Sequence, residues 1–180
     1  MRAVFREDVE YWASVNSGSP KSGLSRRAVL SLFIKNMSVR AVFWFRLSHF
    51  FVSTPVPFVA GYLRRMLIRK FGLDIPPDTE IGGGLYIAHP VGVTVLAERI
   101  GKRCTIVGNV TIGKRIGDQG PIIGDDVYIG AGARVIGPVL VGDMAKIGAN
   151  AVVVKDVPMD VTVVGVPATP ASRTPKKSTM

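Results

Sequence analysis

Apolar positions follow two different periods along this chain. In the first part they recur at helical spacing. Val29, Leu30, Phe33 and Ile34 form one stripe over residues 26–36, with Ser25 placed as the N-cap. Ser38 is placed to cap a second helix over residues 39–52, rich in Phe43, Trp44, Phe45, Leu47, Phe50 and Phe51 and ended by Pro55 and Pro57. A third, over residues 58–71, stops at Gly72 with Arg69 and Lys70 in its last turn, where cations meet the carbonyl end of a helix. From Asp74 the pattern changes. An aliphatic residue followed by glycine recurs at Ile81-Gly82, Ile100-Gly101, Ile112-Gly113, Ile123-Gly124, Ile129-Gly130, Val141-Gly142 and Ile147-Gly148. Ile87, Val93, Ile106, Val135 and Val153 hold intervening aliphatic positions. The step is six from Ile81 to Val93, from Ile100 to Ile112, and without a break from Ile123 to Val153.

Six residues of α-helix turn through about 600°, so a helix cannot keep this repeat on one face. Short strands on the three sides of a coil can, with each aliphatic residue pointing inward and the next small residue turning the corner. The pattern therefore predicts a parallel β-helix of hexapeptide repeats behind an α-helical region. The expected division is a basic, aromatic helical part over 1–73, the β-helix over 74–168, and a mobile basic tail over 169–180. Two steps break the rhythm: seven from Val93 to Ile100 and eleven from Ile112 to Ile123. The second replaces a strand-and-corner unit by residues 114–122, a loop expected beside the coils that carry the chemistry.

Charge divides the chain at the same place. Residues 1–73 hold 12 Lys+Arg against 3 Asp+Glu, a balance of +9, whereas residues 74–180 hold 11 against 10. No acidic residue occurs between Tyr11 and Leu73. Such segregation points to an anionic partner for the helical part. The stretch from Leu47 to Leu63 lacks Lys and Arg but contains His49, Pro55, Pro57 and Gly61, which argues against a membrane span. Two readings stay open for residues 21–70: their apolar faces pack on one another or on a neighbouring subunit, or they lie on an anionic membrane surface. Glu7, Asp8 and Glu10 stand where the apolar core of a secretion signal would begin, and the single Cys104 allows no internal disulfide. The expected location is the cytoplasm, at the inner face of the membrane on the second of these readings.

Candidate chemistry is sparse. His49 and His89 are the only histidines, too few for a three-histidine zinc site, so no metal is expected. No phosphate loop, cysteine cluster or nucleophile elbow is present. Acid–base chemistry by one histidine remains, and an imidazole with a pKa near 6.5 suits a general base acting on a hydroxyl. Asp74 precedes His89 by fifteen residues, close to one coil of eighteen, which places the two on adjacent levels. His49 reads as a helix-packing residue.

Three segments carry a resemblance: LDIPPDTEIGGGLYIAHPVGV, IIGDDVYIGAGARVIG and VGDMAKIGANAVVVKDVP, closed by TVVGVPA. Over residues 74–168 the chain resembles the hexapeptide-repeat acyltransferases, in particular the serine acetyltransferase branch. That resemblance implies a left-handed β-helix and a homotrimer, with acetyl-CoA as acyl donor in the groove between neighbouring subunits. It implies His89 as the base that takes the acceptor's hydroxyl proton and Asp74 as the carboxylate that orients the imidazole. Gly130, Ala131, Gly132, Ala133, Gly148 and Ala149 match the small corner residues that receive the pantetheine arm. Lys155, Arg173, Lys176 and Lys177 are candidates for the CoA phosphates.

The match departs at the acceptor. Serine acetyltransferases carry an Asp just before the catalytic histidine, where this chain has Ala88. They also carry Arg-His-Pro after the inserted loop, where it has Gln119-Gly120-Pro121. Losing charged groups that grip an amino acid costs discrimination on a kcal/mol scale. Together with FWFRLSHF (residues 43–50), these departures resemble the short acetyltransferases of exopolysaccharide and capsule pathways. The expected acceptor is therefore a hydroxyl of a sugar or glycan precursor. Serine is the first alternative, an amine acceptor is a further one, and a catalytically idle scaffold is the alternative from another class.

Overall fold

The computed structural model describes residues 1–115, 117 and 119–171. Four helices come first: α1 (Arg2–Ser17), α2 (Arg26–Lys35), α3 (Met37–Val52) and α4 (Phe58–Phe71). The Ala28 amide donates to Ser25 Oγ at 3.2 Å, the N-cap bond that the sequence called for at α2. At α4, Gly72 takes the left-handed conformation (φ 63°) that closes a helix.

Ser38 departs from the expectation. Asn36 occupies the N-cap position of α3, and Ser38 lies inside the helix, where its hydroxyl donates 2.8 Å to the Ala88 carbonyl. A long-range acceptor outcompetes local capping here, because the helix start is pressed against the first coil.

The coils follow immediately. The first holds β1 (Leu73–Asp74), β2 (Glu80–Ile81) and β3 (Tyr86–Ile87); the second holds β4 (Val93–Val95), β5 (Arg99–Ile100) and β6 (Thr105–Ile106). The third holds β7 (Thr111–Gly113), β8 (Ile122–Ile123) and β9 (Tyr128–Ile129); the fourth holds β10 (Arg134–Ile136), β11 (Leu140–Val141) and β12 (Lys146–Ile147). The last has β13 (Val152–Val153), a single bridge from Val157 to Val141, β14 (Thr162–Val164), and β15 (Thr169–Pro170) folded back antiparallel. Up to β13 every third strand pairs in parallel, then β14 stacks in parallel on β12 and β15 antiparallel on β14, which gives three faces: β1-β4-β7-β10-β13, β2-β5-β8-β11, and β3-β6-β9-β12-β14-β15.

Register reports coil length directly. Val135 sits on Val153 and Ile129 on Ile147, eighteen residues apart, whereas Ile100 sits on Ile123 because the third coil accommodates the loop. The aliphatic positions of the repeat fill the interior: Ile87, Ile106, Ile112, Ile123, Ile129 and Ile147 are fully buried. Cys104 is buried with them, and burial pushes its thiol up to about 12.

The helical part is bolted to the first coil by a buried ion pair. Arg46 Nε and Nη2 donate to the two carboxylate oxygens of Asp8 at 2.9 Å each. The same guanidinium reaches the Ile81 and Gly82 carbonyls at 2.6 Å, and the Leu85 amide donates to Asp8 at 2.8 Å. Burial pushes the Asp8 carboxyl up, against the hydrogen bonds and charge of Arg46. His49 adds a further tie, its Nδ1 lying 2.7 Å from the Pro77 carbonyl oxygen.

Candidate active site

His89 lies on the edge of the coil where the third face turns into the first, between β3 and β4. Its side chain is exposed, and its backbone amide donates 2.7 Å to the Val107 carbonyl on the next level. Gly108 packs beneath it: a Cβ there would stand 3.0 Å from the His89 Cβ. Ala88, held from behind by Ser38, precedes it. Up the same edge come Gly130, Ala131, Gly132 and Ala133, then Gly148 and Ala149 on the level above, joined by the Asn150 amide donating 2.8 Å to the Ala131 carbonyl. Structure thus stacks the candidate base and the candidate cofactor corners on one edge.

Burial sorts those corner residues. Ala131 and Ala149 are exposed and Gly132 and Gly148 half-exposed, whereas Gly130 and Ala133 are buried. Ala133 is fully buried, with its amide donating to the Gly130 carbonyl and its carbonyl accepting from the Thr111 amide, so it shapes the corner without touching a ligand. Gly130 is required by spacing: a Cβ would lie 2.7 Å from the Ala149 nitrogen. The edge also needs left-handed residues, alternately Gly92, Asn109, Gly132 and Asn150, with φ between 52° and 74°.

Asp74 is placed near this edge but is already engaged. Its strand β1 pairs with β4, which follows the His89 corner directly, and the Gly92 amide donates 2.9 Å to the Gly72 carbonyl. Its Oδ1 accepts from Arg64 Nε of α4 at 2.8 Å, and no Asp74–His89 hydrogen bond forms among the described residues. Arg64 is a site neighbour that the sequence reading missed. Its only signal was a place ten residues upstream on a helix aimed at β1.

The remaining candidates lie on a different edge, where the first face turns into the second. Gln119 is exposed there, while Gly120 is buried and its amide donates 2.9 Å to Glu98 Oε1. A Cβ on residue 120 would stand 2.5 Å from the Leu96 carbonyl oxygen. Lys155, exposed after β13, shares this edge. Within one chain, Gln119, Gly120 and Lys155 are therefore separated from His89. Arg173, Lys176 and Lys177 lie outside the described residues. Among the described residues, no cluster of His, Cys, Asp or Glu is arranged to hold a metal ion.

Comparison with known proteins decides the class. The Bacterial transferase hexapeptide (six repeats) family matches residues 120–155. The chain is 40% identical over 131 residues to a serine acetyltransferase of Helicobacter pylori, covering 71% of this chain and 77% of that one. It is 36% identical over 126 residues to the serine acetyltransferase of Synechococcus elongatus, covering 68% of this chain and 52% of the longer relative. Among solved structures, a Neisseria gonorrhoeae serine acetyltransferase in complex with serine superposes with a TM-score of 0.81 at 31% identity, covering 95% of this chain and 69% of that one. A serine acetyltransferase in complex with CoA gives 0.80 at 28% identity, covering 94% and 68%.

These relatives correct the expected acceptor. Sugar or glycan O-acetylation, and with it polysaccharide biosynthesis, is overturned by relatives that are serine acetyltransferases. The expectation rested on the departures at Ala88, Gln119 and Gly120 and on the FWFRLSHF segment; within one chain Gln119 and Gly120 lie a full face of the prism away from His89. Gly120, moreover, is dictated by packing against Leu96. The chain is an acetyl-CoA-dependent acyltransferase on a left-handed parallel β-helix, and it belongs to the serine acetyltransferase family.

Proposed function

We propose that this enzyme transfers the acetyl group of acetyl-CoA to the hydroxyl of L-serine, with His89 as general base. The observation that carries the reading is the exposed His89 stacked on one edge with the small corners around Ala131 and Ala149. Acetyl-CoA supplies the activated thioester, and the exposed Ala131 and Ala149 corners leave room beside backbone groups for its pantetheine arm. His89 takes the proton of the serine hydroxyl as that oxygen attacks the thioester carbonyl. The C–S bond then breaks, and the proton passes from the imidazolium to the departing thiolate. Asp74, one carboxylate oxygen held by Arg64, is assigned to orient the imidazole through the other once substrates are bound.

The split between edges supports a homotrimer. A second copy that sets its Gln119–Lys155 edge against the His89 edge completes a groove between subunits, with Lys155 toward the CoA phosphates. With Ala88 and Gln119 replacing charged groups, serine is held more weakly than in relatives that keep them, so a raised KM is expected rather than lost turnover. The test is mass-spectrometric detection of O-acetyl-L-serine from acetyl-CoA and L-serine, with light scattering of the same sample. O-acetylserine from a particle of three chains supports the reading. Absence of the product at saturating serine overturns it.

A further inference from the structure

Helix α2 holds six apolar residues in ten, and none of its residues is buried. Leu30 and Ile34, one turn apart, are 58% and 62% exposed. Beside them Val29 and Phe33 are half-buried, Phe33 packing edge-on against Phe43 with ring centroids 5.1 Å apart, and with Phe5, Leu30, Arg2, Arg6 and Arg26 they line a groove of about 590 Å³. The apolar surface continues through Met1, which lines both this groove and a second of about 360 Å³ beside Phe50. A ten-residue helix that fully buries none of its residues is marginal in water. This one is built to be covered.

Charge selects the cover. Arg26, Arg27 and Lys35 belong to α2, with Lys21 and Arg40 flanking it, and no acidic residue lies between Tyr11 and Leu73. Among the described residues, none of these five cations enters a salt bridge. Packing this face on the same face of a second copy sets like charges together. Among the described residues, no single helix is long and apolar enough to cross a membrane, and α2 meets α3 at 105°. A short basic helix with exposed Leu and Ile is suited to lie in the interface of an anionic bilayer.

We propose that α2 and the groove behind it dock on the anionic surface of a phospholipid bilayer. Leu30 and Ile34 enter the acyl boundary, and Arg26, Arg27 and Lys35 meet the headgroups. This surface is independent of the acetyl-transfer site and does not rest on the identity of the acceptor.

The experiment is co-sedimentation of the full chain with vesicles of phosphatidylcholine alone or mixed with phosphatidylglycerol, across a salt series. Leu30→Ser/Ile34→Ser and Arg26→Gln/Arg27→Gln are run beside it, with circular dichroism and thiol release from acetyl-CoA confirming that each is folded. The unaltered chain should bind the mixed vesicles and release them as salt rises, and each double variant should bind at least about tenfold more weakly. Equal binding to phosphatidylcholine alone, or none to the mixed vesicles, overturns the proposal. So does a change in lipid-free particle mass on Leu30→Ser/Ile34→Ser, which would make the face an interface between copies. The salt series on the unaltered chain decides the matter even if a variant misfolds.

Discussion

Replacing Asp8 by alanine should unfasten the helical part from the β-helix. Asp8 and Arg46 are 2% and 5% exposed, so water cannot take over the charge left behind. The guanidinium keeps the Ile81 and Gly82 carbonyls but loses its counter-ion and two hydrogen bonds, and the Leu85 amide loses its acceptor. Breaking one side of a buried pair costs about 3–5 kcal/mol, of which the orphaned amide accounts for about 1–3. Urea unfolding at fixed protein concentration, followed by Trp12 and Trp44 fluorescence and by circular dichroism, reads the loss. With a slope of about 1–3 kcal/mol per molar urea, the midpoint should fall by more than about 1 M. Asp8→Leu combined with Arg46→Met should recover much of that loss, because the unpaired charge is gone. A cost below about 1 kcal/mol for Asp8→Ala, or a double variant no better than the single one, would refute the reasoning.

Other substitutions probe the site and the core. Gly108→Ala sets a methyl 3.0 Å from the His89 Cβ, so kcat should fall while the melting temperature barely moves; equal losses in both would contradict a local effect. Arg64→Gln frees Asp74 Oδ1 and should lower kcat with little change in the KM for acetyl-CoA, as steady-state kinetics would show. Cys104, its thiol pushed up to about 12 by burial, should resist maleimide in the folded protein and react on unfolding. The linkage has a sign. The unfolded thiol ionises above its usual 9.0 while the folded one stays protonated to about 12, so this contribution to stability is complete below pH 9 and lost as the pH rises through that window. Replacing Cys104 by alanine should flatten that alkaline decline in urea midpoints.

The β-helix was legible because its cause is local and repeats. An aliphatic residue followed by Gly every six positions forces inward packing at a corner, and the eleven-residue step at Ile112 marked the inserted loop. Ser25 and Gly72 were readable for the same reason, since caps act within a turn. What escaped depends on residues far apart in sequence. Nothing near Arg46 announces a partner at Asp8, and nothing near Ser38 announces the Ala88 carbonyl fifty residues on. The acceptor was misread on a related ground. Ala88, Gln119 and Gly120 read as lost substrate contacts, although Gly120 answers to the Leu96 carbonyl of the preceding coil rather than to a ligand.

The central claim is that His89 moves the proton in acetyl transfer to serine, and it is tested most directly by thiol release from acetyl-CoA at saturating L-serine for the unaltered enzyme and His89→Ala. The account predicts serine-dependent release that falls by about 10²–10⁴-fold in the variant, with the fold unchanged by circular dichroism. Serine-dependent release at the same rate in both proteins would contradict it.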